Sequence, residues 1–198
     1  MKKLVALLLV SMMASVAFAG LDPDTDSMGI YFDTAGNSNT LAAAPFAQFG
    51  AYLLLMNPGN VTDGFECTVT IEPTGGAAYF ALANAPAGSG PIDVDSAPLG
   101  YTCGVAAPYV ASNGAIVLVN YQFLLTAPGG LNFKLGQGFV PSLPGGLPVV
   151  TGMQGENAVL RRCGVASGDV ALPVATVNGG TVVGVEAASF GEVKSLFR

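Results

Sequence analysis

Apolar and polar positions alternate with a period of two along most of this chain. Phe65-Glu66-Cys67-Thr68-Val69-Thr70-Ile71-Glu72 is the cleanest run, with apolar residues at every second position and Glu or Thr between them. Such a run predicts a strand with one face buried and the other wet. Comparable patterns predict strands over 28–33, 49–56, 101–110, 115–126, 131–135, 148–151, 158–165, 170–177 and 181–185. Turn signals separate them: Asn57-Pro58-Gly59-Asn60, Asn113-Gly114, Pro128-Gly129-Gly130 and Asn178-Gly179-Gly180. The third of these predicts a hairpin joining 115–126 to 131–135. Residues 77–85 fit either a short helix or an edge strand, while 87–99 and 136–146 read as loops. No stretch of a dozen residues carries a 3.6 period, so the pattern predicts an all-β chain.

About ten short strands without an intervening linker describe one sandwich over 20–186, with Greek-key or jelly-roll connections. The order of its motifs carries a resemblance. A strand ending in Tyr52-Leu53-Leu54-Leu55-Met56-Asn57-Pro58 leads into Gly64-Phe65-Glu66-Cys67-Thr68-Val69. Gly114-Ala115-Ile116-Val117-Leu118-Val119 then precedes Phe123 and the 131–135 strand. Together, over 28–185, these resemble cohesin-type and immunoglobulin-like sandwiches of bacterial secreted and cell-surface proteins. The resemblance is one of pattern; it implies a binding or structural role and transfers no binding residue.

The first 19 residues have a different character. Lys2 and Lys3 precede an apolar run over 4–16, and Ala17-Phe18-Ala19 supplies a small-x-small cleavage pattern. This predicts a secretory signal peptide over 1–19, with a run shorter than the roughly 20 apolar residues that span a bilayer. The mature protein is therefore expected to be exported and to have no transmembrane span, its place being periplasmic, cell-surface or extracellular. At the other end, Phe190, Val193 and Phe197 (or Leu196) fall at helical spacing, which predicts an amphipathic tail over 187–198.

Charge and composition narrow the chemistry. Seven basic residues stand against 13 acidic ones, and loss of Lys2 and Lys3 takes the formal charge from −6 to −8. That balance opposes nucleic acid as a partner. The absence of His excludes Ser-His-Asp and Cys-His catalysis. The expected protein is not an enzyme but a structural, adhesive or assembly module, with an extracellular protein or a glycan as partner. Loops or an exposed edge strand would engage it.

Three weaker signals remain. Asp22, Asp24, Asp26 and Asp33 fall at positions 1, 3, 5 and 12 of a calcium-loop frame, although Ser27 stands where that loop needs Gly. A solvated acidic N-terminus is the simpler reading of the four, and calcium the ligand of the other. Asp63, Asp93 and Asp95 could form a carboxylate pair for hydrolysis, or serve only solubility. Among three cysteines, Cys103-Gly104-Val105-Ala106 is echoed by Cys163-Gly164-Val165-Ala166, which suggests a Cys103–Cys163 disulfide and a buried Cys67. Tyr31, Tyr52, Tyr79, Tyr101, Tyr109 and Tyr121 sit within apolar alternation and are expected in the core or at its rim rather than as a glycan platform. Arg161 and Arg162, adjacent on one strand, are expected to point to opposite faces.

Overall fold

The computed structural model describes residues 22–180. The predicted signal peptide, the 181–185 strand and the tail lie outside the described residues. Within them the chain is all β, and none of it forms a helix long and apolar enough to cross a membrane.

Thirteen strands form two sheets. The first holds β1 (Ser27–Tyr31), β3 (Gln48–Met56), β5 (Ala78–Pro86), β8 (Ala115–Ala127) and β12 (Gly164–Val165), in the order β12-β1-β3-β8-β5. The second is built on β4 (Gly64–Thr74). One edge of β4 takes β10 (Val149–Gln154) and then β9 (Gly130–Gly136), and the other takes β7 (Gly100–Gly104). Beyond these lie β11 (Asn157–Arg162) on β10, β13 (Ala175–Val177) on β9, β2 (Thr40–Leu41) on β13 and β6 (Ile92–Asp93) on β7.

The period of two decides what each face does. Phe65, Cys67 and Val69 of β4 and Tyr121, Phe123 and Leu125 of β8 point between the sheets and are buried. Aromatic rings link the two layers: Phe123 meets Phe133 edge-on at 5.6 Å, and Tyr101 meets Tyr121 at 6.3 Å. Such pairs add about 0.5–1.5 kcal/mol each beyond the burial of their area. β1 is buried on both faces because the turn after it folds back over the outer side of the first sheet, where Tyr31, Leu54 and Met56 form a second small cluster. The glycine at 36 is required there: it has φ +73°, and a Cβ on it would lie 2.5 Å from the Met56 methyl carbon.

Residues 78–86 are an edge strand, which settles the choice between strand and helix. Two expectations fail. The hairpin across Pro128-Gly129-Gly130 does not form, because β8 belongs to the first sheet and β9 to the second. Both edges of β8 are already taken by β3 and β5, so the turn becomes a crossover between layers.

The Cys103–Cys163 disulfide is also absent, and all three cysteines are free. Cys103 lies opposite Phe65, Phe65 opposite Val150, and Val150 opposite Arg161. Three strand spacings, about 14 Å in all, thus separate β7 from the strand that leads to Cys163. A bridge needs Cα atoms within roughly 7 Å. Cys67 is in the core as expected.

Candidate functional site

Three of the four N-terminal aspartates, Asp22, Asp26 and Asp33, each take a separate role in the fold through their carboxylates. Asp22 accepts hydrogen bonds from the Ser27 hydroxyl and from the Asp24 N–H. Asp33 accepts the N–H groups of Ala35 and Asn37 and so closes the turn after β1. Asp26 does most. Arg161 crosses from the edge of the second sheet and donates Nε to its Oδ2 at 2.8 Å and Nη2 to its Oδ1 at 3.2 Å. The Gly59 N–H donates to the same carboxylate at 3.0 Å. Burial opposes ionisation of Asp26, but the Arg161 guanidinium and the Gly59 N–H outweigh it and hold the carboxyl below its ordinary value. Among the described residues, no three His, Cys, Asp or Glu side chains are grouped to hold a metal ion.

Arg161 and Arg162 do point to opposite faces. Arg161 faces inward, in register with Val150. Arg162 faces outward and donates to the Pro144 carbonyl oxygen at 3.1 Å.

That outward side of the second sheet carries a concavity. Small residues floor it: Gly104 and Thr102 on β7, and Thr151 on β10. One wall is Ile92 with Val94, and the other is Leu160 with Ser142 of the 137–146 loop. The loop is closed at its neck by the Gln137 N–H to the Gly146 carbonyl oxygen at 3.0 Å. It is pinned to the sheet by Glu66, whose Oε1 accepts the Ser142 N–H at 2.8 Å and whose Oε2 accepts the Ser142 hydroxyl at 2.7 Å. Gly138 passes so close over Glu66 that a Cβ there would lie 3.2 Å from the Glu66 Cβ. This is why the outward residue of a strand that reads as half wet is only 5% exposed.

The groove encloses about 600 Å³ and is mainly apolar; Asp63 and Glu66 are its charged lining residues. Large apolar side chains stand in water around it. Ile92 is 69% exposed, Val94 72% and Leu160 45%. Apolar side chains gathered in this way around a concavity mark an interaction surface rather than a solvated face. The sequence reading missed this site. Ile92, Val94 and Ser142 come from segments read as loops, and Glu66 meets Ser142 across 76 positions.

The other candidate groups offer little chemistry. Asp63 lines the groove, but Asp93 and Asp95 do not line it. They accept the Asp95 and Thr102 N–H groups and the Ala97 N–H respectively. Burial pushes all three thiols up, that of Cys163 to about 12, so they stay protonated and unreactive at neutral pH. Burial likewise raises the phenols of Tyr101, Tyr109 and Tyr121. None of the six tyrosines is exposed, so no stacking row forms.

No family model matches the chain, and no curated protein matches it in sequence. Among solved structures, it is similar to the sixth cohesin of scaffoldin B from Acetivibrio cellulolyticus, solved in complex with a Cel5 dockerin mutant. The TM-score is 0.45 at 10% identity, covering 76% of this chain and 96% of that one. The likeness is weak, as was the resemblance in the sequence, and the architecture rests on the two sheets themselves.

Proposed function

We propose that this chain is an exported, non-catalytic β-sandwich of a bacterial envelope that works as an assembly module, holding a protein partner in the groove on the outer face of its second sheet. One observation carries the reading: Ile92, Val94 and Leu160 line an apolar concavity of about 600 Å³ and stand exposed. The chemistry supports the same view. The chain has no imidazole, its thiols and buried phenols stay protonated, and both oxygens of Glu66 are occupied by Ser142. Export is supported by the 1–19 segment. The partner is expected to offer apolar side chains that fill the groove, with polar groups at the rim.

The test uses immobilised protein and the envelope fraction of the native organism. A partner retained by the wild type should be lost with Val94→Glu and with Leu160→Glu, and kept by a control substitution, Gln48→Glu, on the first sheet. Retention by both groove variants would overturn the proposal.

A further inference from the structure

β5 is the free edge of the first sheet. Among the described residues its backbone pairs only with β8, and seven of its nine residues are exposed. Phe80 is 63% exposed and Leu82 47%. An open edge of this length presents a row of unpaired N–H and C=O groups, and proteins normally blunt such rows with charged side chains. This one has none: no Asp, Glu, Lys or Arg occurs from Pro73 to Ile92.

We propose that β5 pairs antiparallel with β5 of a second copy, joining two five-stranded sheets into one continuous sheet across a twofold axis. Charge favours this partner. Each copy carries a formal charge of −6, so most approaches bring acidic residues together, whereas the β5 edge brings none.

Shape and register favour it as well. Pairing about the Ala81–Leu82 bond sets Phe80 opposite Ala83 of the second copy, and Tyr79 opposite Asn84, so each aromatic ring meets a smaller residue. The faces also agree. Phe80 and Ala83 pair with Leu124 and Gln122, which share one face of β8; Tyr79 and Asn84 pair with Leu125 and Tyr121, which share the other. The register shift between Ala81 and Ala83 is what brings them into agreement. A twofold pairing uses up both edges and so ends as a dimer instead of growing into a fibre. The groove lies on the other sheet and stays open, which would give an assembly module two partner sites per particle.

Sedimentation velocity on the full chain tests this, over a series from about 1 to about 300 µM that covers the weak association expected of an interface below standard size. The wild type should move from monomer to dimer across the series. Phe80→Lys and Leu82→Lys should each remain monomeric with an unchanged thermal midpoint, since both side chains already lie in water. Phe139→Lys, an exposed position outside the first sheet, should dimerise like the wild type. A wild type that is monomeric throughout, a dimer untouched by the two β5 substitutions, or a dimer abolished by Phe139→Lys would each overturn the proposal.

Discussion

Replacing Asp26 with Asn removes one negative charge from the contact between the two sheets and changes little else. Asn tolerates the backbone there, which has φ +51°, because its short polar side chain suits the left-handed region. Its carbonyl oxygen can still accept the Gly59 N–H. What goes is the ionic part of the two bonds from Arg161, at 2.8 and 3.2 Å. Hydrogen bonds to charged groups contribute about 1.5–3 kcal/mol each. Stripping a buried ion of its partner costs about 3–5 kcal/mol. Arg161 does not fall to that limit, since Val61 O, Asn60 O and Thr62 Oγ1 still accept from it at 3.1, 3.4 and 3.1 Å. A loss of about 2–3 kcal/mol follows from these bonds.

Urea unfolding at pH 7 reads this loss directly, and a pH series checks its origin. The folded-state carboxyl of Asp26 lies below its ordinary value. Its contribution is therefore complete above the unfolded-state value of about 3.9 and disappears as the pH falls through the folded one. The gap between wild type and Asp26→Asn should stay constant from pH 5 to 8 and close below roughly pH 4. A gap under about 0.5 kcal/mol at pH 7, the size of an exposed ion pair, would refute the reasoning. A gap that widens on acidification would refute it too.

Other outcomes follow from the same geometry. Gly152→Ala should cost 3 kcal/mol or more, roughly the upper range for overpacking, because its Cβ would stand 1.8 Å from the Val61 carbonyl oxygen, a backbone atom that cannot swing aside; the urea midpoint of the purified variant checks this. Alkylation with iodoacetamide followed by intact mass should label none of Cys67, Cys103 and Cys163 in the folded protein and all three in urea, without reductant. A mass two units low in the unreduced protein would restore a disulfide. Ser142→Ala should leave global stability within about 1 kcal/mol, the scale of a single net hydrogen bond. It should nonetheless speed amide exchange across 137–146, measured by mass spectrometry; unchanged exchange would mean that the Ser142 hydroxyl does not help Glu66 to pin the loop.

Local pattern reached the strands and stopped where distant segments meet. The run from Phe65 to Ile71 announced β4 and its buried face because alternation is a property of neighbouring residues. The β8–β9 connection was misread since a turn signal at Pro128-Gly129-Gly130 says that the chain reverses but not which sheet receives it. That choice belongs to β3 and β5, which occupy both edges of β8. Strand parity put Arg161 and Arg162 on opposite faces, yet nothing adjacent to Arg161 names Asp26, 135 positions away. The acids of the supposed calcium loop share a spacing but not a centre. Asp22, Asp26 and Asp33 are drawn off to donors of their own: Ser27, Arg161 and the turn after β1. The groove had no signature of its own, for Ile92 and Val94 are two apolar residues in a stretch rich in Gly, Pro and Ser.

Site-specific photocrosslinking in the native organism bears most directly on the central claim. A photoreactive residue placed at Val94 or at Leu160 should give the same discrete adduct with one envelope protein, and one at Asn120 on the outer face of the first sheet should not. An equal yield of that adduct from all three positions, or no adduct from Val94 and Leu160, would contradict the account.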